Sequence, residues 1–137
     1  MKRTFSALLI LFVSALLFSS CKKDKDESAS VVGRWGLSYA EATINNGTPQ
    51  SENYTSSHDD YYTLELKSDG KFIEKYNDGD EDNGSYRIEG NKIYFTYEGE
   101  TEDDPNEFTV SQSEFTRSGS FTSPGNNVKW KEKFKRL

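Results

Sequence analysis

A chain of 137 residues with 23 acidic against 17 basic side chains carries a formal charge of −6. That length fits one domain, and the acidic balance excludes a surface built to grip nucleic-acid phosphates. A single cysteine and a single histidine exclude an internal disulfide and leave little for metal or nucleophilic chemistry.

Lys2 and Arg3 precede residues 7–18, ALLILFVSALLF, which are apolar except for Ser14; Ser19, Ser20 and Cys21 follow. A positive start, a short apolar run and small residues before a cut are the parts of a secretory signal. The run falls short of the ~20 residues of a membrane span. An odd cysteine in an exported domain needs a role, and Phe18-Ser19-Ser20-Cys21 resembles a bacterial lipobox. That resemblance implies lipidation of Cys21, cleavage after residue 20, and a membrane partner reached through the N-terminal lipid. One acyl chain anchors weakly, whereas several anchor stably. The expected divisions are a lipoprotein signal peptide over 1–20, a flexible charged tether over 21–30, CKKDKDESAS, and a folded domain over 31–137. Losing Lys2 and Arg3 takes the charge to 15 − 23 = −8. The expected location is the cell envelope, as an outer-membrane lipoprotein on the periplasmic face or the cell surface. The Lys/Asp/Glu run after Cys21 resembles a surface-export signal and reads equally well as a solvated spacer.

From Val31 onward the chain is rich in Tyr, Phe and Thr and is cut by Gly, Asn and Asp, the composition of short strands joined by turns. The first strand, 33–41, sets Trp35, Leu37 and Tyr39 on one face. Residues 43–60 are polar and read as a loop. A strand over 61–67 sets Tyr62, Leu64 and Leu66 against Thr63, Glu65 and Lys67. Asp69-Gly70 then marks a hairpin into 71–76. Strands over 84–89 and 92–98 flank Gly90-Asn91, and the second sets Ile93, Phe95 and Tyr97 together. An acidic loop over 98–106 leads to strands over 107–111, 114–118 and 127–135. The last sets Val128, Trp130 and Phe134 opposite Lys129, Lys131, Lys133 and Lys135, with Glu132 spoiling the apolar face. Strict alternation gives one face to a core and the other to water, which favours antiparallel pairing. The prediction is an all-β fold: a small antiparallel up-and-down β-barrel of about eight strands, with a two-sheet sandwich as the alternative.

Gly33-Arg34-Trp35 opens the first strand, Arg136 closes the last, and LELKSDGKF and GSYRIEGNKIYF lie between. This arrangement resembles the lipocalin-like domain of small bacterial lipoproteins over roughly residues 31–137; the second lipocalin motif is absent. The resemblance implies a barrel whose Gly-x-Trp tryptophan, Trp35, plugs the closed end under Arg136. A guanidinium over an indole gains ~0.5–2 kcal/mol.

Catalytic chemistry is sparse. His58 lies in a polar stretch beside Asp59 and Asp60 and reads as solvated. Asp78, Asp80 and Asp82 with Glu89 have the oxygen-ligand spacing of a calcium loop. The sixth position is Asn83, however, with Gly84 one place late, and the flanks read as strands, so a soluble acidic hairpin tip is favoured. No catalytic residue, metal or cofactor is expected. The expected function is noncatalytic binding of a small apolar or amphipathic ligand inside the barrel, lined by Tyr39, Tyr62, Phe72, Tyr86, Phe95, Tyr97 and Trp130. The same rings also suffice to fill a barrel of this size. The rival expectation is a surface module whose loops, Tyr54 among them, dock a protein or glycan. The sequence leaves the oligomeric state open.

Overall fold

The computed structural model describes residues 29–137. The expected signal peptide, Cys21 and most of the tether lie outside the described residues. Nine strands follow in order: β1 Gly33–Ile44, β2 Gln50–Asn53, β3 Tyr62–Leu66, β4 Lys71–Tyr76, β5 Glu81–Glu89, β6 Lys92–Tyr97, β7 Asn106–Val110, β8 Glu114–Ser123 and β9 Asn126–Arg136. Every pairing is antiparallel. β1 and β3 to β9 pair in sequence order, and β9 returns to β1. The result is a closed, eight-strand, up-and-down barrel with no helix among the described residues. Closure leaves few free edges to pair with other chains.

Each predicted strand is present, with ends displaced by a few residues. The stretch 43–60 differs more. β1 runs on to Ile44, and Gln50–Asn53 forms β2, paired with Tyr39–Ala42. No sequence signal marks β2, because all four of its side chains are exposed polar groups. Its backbone bonds to β1 supply the order that an apolar face would otherwise supply.

A second difference lies within β1. The pairing of β1 with β9 shifts register between Leu37 and Tyr39. A one-residue irregularity turns every later side chain to the opposite face. Leu37 is therefore inside opposite buried Phe134, and Ala40 and Ala42 are inside opposite Glu132 and Trp130. Tyr39, expected on the inner face, is outside. Its hydroxyl donates to Glu41 Oε2 at 2.7 Å, and Lys133 Nζ stands 5.3 Å from its ring centre.

The two ends of the barrel differ. At the end that holds the start of β1 and the end of β9, Trp35, Leu37, Leu64, Leu66, Phe72, Ile93, Phe95, Phe115 and Phe134 pack into a dry core. Phe72 meets Phe95 edge-on at 5.0 Å, and Trp35 tilts against Phe115 at 5.6 Å. Arg136 lies across Trp35 at 4.1 Å and donates to the carbonyls of Gln112, Ser30 and Val32. The indole Nε1 donates to the Val31 carbonyl at 2.8 Å. Gly33, at φ 150°, lets the Arg136 guanidinium lie close to the backbone, and a Cβ there would push that guanidinium aside. This end is closed. The other end, where the 45–61, 77–80, 98–105 and 124–125 connections cluster, is open.

Candidate functional site

Three inward positions just above the core are charged. Alternation along β4 turns Phe72, Glu74 and Tyr76 inward; along β8 it turns Phe115, Arg117 and Gly119; along β9, Phe134, Glu132 and Trp130. Glu74 is 2% exposed and Arg117 8%. Such charges cost several kcal/mol each to bury unless they are paired and hydrogen-bonded. Here they are. Arg117 Nε donates to Glu132 Oε2 at 2.7 Å, and Nη2 donates to Glu74 Oε1 at 3.1 Å and to the Tyr62 hydroxyl at 2.8 Å. The Tyr62 hydroxyl in turn donates to Glu132 Oε1 at 2.9 Å. On the far side of Glu74, Oε2 accepts from Tyr97 at 3.2 Å and lies 3.1 Å from the Tyr76 hydroxyl, which also reaches Asp82 at 3.3 Å. The guanidinium lies within 5.2–5.9 Å of the ring centres of Phe95, Phe134 and Trp130.

The electrostatics follow from this enclosure. Burial pushes the Tyr62 phenol well above its usual range. Arg117 opposes that rise, and the Glu132 and Glu74 carboxylates add to it. Tyr76 and Tyr97 are raised as well, first by burial and then by Glu74. Burial works against the Arg117 cation, but Tyr62, Glu132 and Glu74 outweigh it and hold the guanidinium firmly protonated.

Beside this layer a cleft of about 570 Å³ runs along β1, β2 and β9, walled by Ala40, Ala42, Trp130 and Tyr54 and by the polar Glu41, Gln50, Ser51, Glu52, Lys131 and Glu132. The two alanines leave space that larger side chains would fill, and Trp130 forms the apolar wall. β8 and β9 extend past their neighbours, and their inner face carries Phe121 opposite Val128, which in turn lies opposite Ile44. Phe121 and Ile44 are more than half exposed. An apolar lip thus continues upward from Trp130.

The residues expected to line a ligand site divide into five groups. Phe72 and Phe95 are fully buried core. Tyr62 and Tyr97 belong to the charged layer, and Trp130 stands half-buried in the cleft. Tyr86 is inside near the closed end, donating to the Lys67 carbonyl at 2.7 Å. Tyr39 is outside, for the reason given above. Tyr54, expected as an exposed loop aromatic, is half-buried against the core and sits 4.7 Å from the His58 ring. His58 Nε2 pairs with Glu52 at 3.0 Å. Asp78 and Asp80 occupy the β4–β5 turn, Asp82 lies inside β5, and Glu89 ends that strand at the opposite end of the barrel. The calcium-like spacing is drawn out along a strand and does not converge. Sequence reasoning missed Glu74 and Arg117 as site residues, although both fall in the inward slots of alternating strands.

Comparison with curated proteins and with solved structures finds no match. The family model described as a lipocalin-like domain matches residues 31–117, from the segment before β1 through the arginine at the centre of the charged layer. With the closed antiparallel barrel and Trp35 under Arg136, that match identifies the chain as a member of the lipocalin-like domain family.

Proposed function

We propose that the protein is a lipid-anchored, noncatalytic binder of small amphipathic molecules and that it works at the open end of the barrel. The observation that carries this reading is the 570 Å³ cleft, which combines the apolar Trp130 wall with charged Glu132 at its base. That volume is within the roughly 300–1,000 Å³ of small-molecule sites, which pair apolar walls with a few placed polar groups. The carboxylates of the charged layer pair with Arg117 and accept hydrogen bonds from tyrosine hydroxyls, so they are engaged with these neighbours rather than poised as acid and base. The topology also suits an anchor. Ser30 and Val32, the described residues on the Cys21 side of the domain, sit against Arg136 at the closed end and leave the mouth of the barrel free.

Titration with the uncharged fluorophore N-phenyl-1-naphthylamine tests the site. Binding should be saturable, and Trp130→Ala should weaken it about tenfold or more, as expected when one large aromatic contact is lost. Unchanged affinity in that variant would move the site elsewhere. Cys21→Ser tests the anchor by membrane fractionation: the variant should leave the membrane pellet, and a variant that pellets like the parent refutes lipidation.

A further inference from the structure

The side chains that line the cleft carry an excess of negative charge. Glu41, Glu52 and Glu132 are acidic and Lys131 is basic, a balance of 1 − 3 = −2. Glu41 stands opposite Lys131 across β1 and β9 and accepts from Tyr39, so these two charges offset each other. Glu132 pairs with Arg117, but Arg117 is shared with Glu74, which leaves that group one negative charge in excess. Glu52 is held by two neutral donors. Its Oε2 accepts from the Tyr54 hydroxyl at 3.3 Å, and its Oε1 lies 3.0 Å from His58 Nε2. The Asp60 N–H donates to His58 Nδ1 at 3.2 Å. That nitrogen therefore offers a lone pair, which puts the ring proton on Nε2 and leaves the imidazole uncharged.

Aromatic rings share the cleft with this excess. Tyr54 and Trp130 both line it, and Ile44, Phe121 and Val128 continue from Trp130 as the apolar lip. An aromatic face attracts an organic cation through its quadrupole, tryptophan most strongly, and each carboxylate adds direct attraction. An anionic ligand would meet charge of its own sign, both in the cleft and from a chain with 23 acidic against 17 basic residues. An uncharged head gains neither attraction. A bare metal ion would leave the aromatic and apolar walls unused.

We propose that the ligand is a cationic amphiphile, with an alkylammonium head beside Glu52 and Glu132 among the Tyr54 and Trp130 rings. Its apolar tail lies along the lip formed by Ile44, Phe121 and Val128. This rests on the binding reading above and adds the ligand's charge and head-group class.

A matched head-group series on the unmodified protein tests it: calorimetric titration with octyltrimethylammonium, octanoate and 1-octanol at pH 8 and low salt. The cation should bind about tenfold or more tighter than either of the others. Added salt should shrink that advantage, because the carboxylate attraction is screened. Glu52→Gln removes the charge of an exposed β2 residue, and it should take away most of the cation's advantage over octanol. Octanoate or octanol binding as tightly as the cation overturns the head-group assignment while leaving the binding reading intact. A cation advantage that survives both salt and Glu52→Gln overturns the assignment to these carboxylates. Failure of all three ligands to bind, together with no binding of N-phenyl-1-naphthylamine, overturns the binding reading and this inference together. Should Glu52→Gln fail to fold, the series and its salt dependence on the unmodified protein still decide.

Discussion

Arg117 is a single cation held between two acids at the centre of the barrel, and its removal would leave Glu74 almost wholly buried with no counter-charge. Stranding a buried charge in this way costs ~3–5 kcal/mol. Arg117→Met should therefore lower stability by about that much in urea unfolding. Replacing Glu74, Arg117 and Glu132 together with apolar residues of similar volume should cost far less, since an intact buried ion group is often close to neutral against an apolar one. A triple variant as unstable as the single one would show that the layer stabilises the fold by more than mutual neutralisation. A similar contrast applies at the closed end. Trp35→Ala should cost ~3–5 kcal/mol as a large-to-small core change. Arg136→Ala should cost about 1 kcal/mol from the lost stacking. The 4.1 Å contact makes the two losses non-additive; additivity within ~0.3 kcal/mol would argue against coupling. Trp35 and Arg136 were legible in the sequence because each sits at the end of a terminal strand. Glu132 was visible only as a blemish on an apolar face. Its meaning needed Arg117 and Glu74, which are distant in sequence and meet only once the barrel closes.

At the scale of the element, period-two alternation made the strands readable and also set the limit of that reading. Alternation survives across β3, β4, β6 and β9, and those strands lie where the pattern puts them. It says nothing of the irregularity after Leu37, which depends on how β1 meets β9, and so the face of Tyr39 could not be read from β1 alone. It says nothing of β2 either, whose four polar residues carry no pattern. Two glycines in strands test how closely the wall is packed. A Cβ on Gly84 would come within 2.0 Å of the Thr96 carbonyl oxygen, and backbone cannot turn aside. A Cβ on Gly119 would meet the Trp130 ring edge at 2.8 Å, a side chain free to tilt into the cleft. Gly84→Ala should thus cost ~1–3 kcal/mol or more by overpacking. Gly119→Ala should cost under ~1 kcal/mol while changing Trp130 fluorescence and probe affinity. Equal losses of stability for the two, by urea unfolding, would contradict the difference in their surroundings.

Across the whole molecule, a dry aromatic half and a charged half share one barrel, and pH separates their contributions. Tyr62, Tyr76 and Tyr97 all border the charged layer, and burial followed by nearby carboxylates raises each phenol above its ordinary value. In the unfolded chain a tyrosine loses its proton near pH 10. A group whose folded pKa is raised contributes its full stabilisation below the unfolded pKa and loses it as pH climbs toward the folded one. The barrel should therefore keep its stability up to about pH 10 and lose it progressively above that. Ionising any one of the three would set a phenolate against Glu74 or Glu132 in a site with no further cation, so partial titration is disfavoured while the fold persists. Phenolate absorbance should then include a cooperative step that coincides with loss of near-ultraviolet dichroism, as the three release their protons on unfolding. A smooth single titration of all the tyrosines with the dichroism unchanged would mean that water reaches the charged layer freely, and that the floor of the cleft is open rather than sealed.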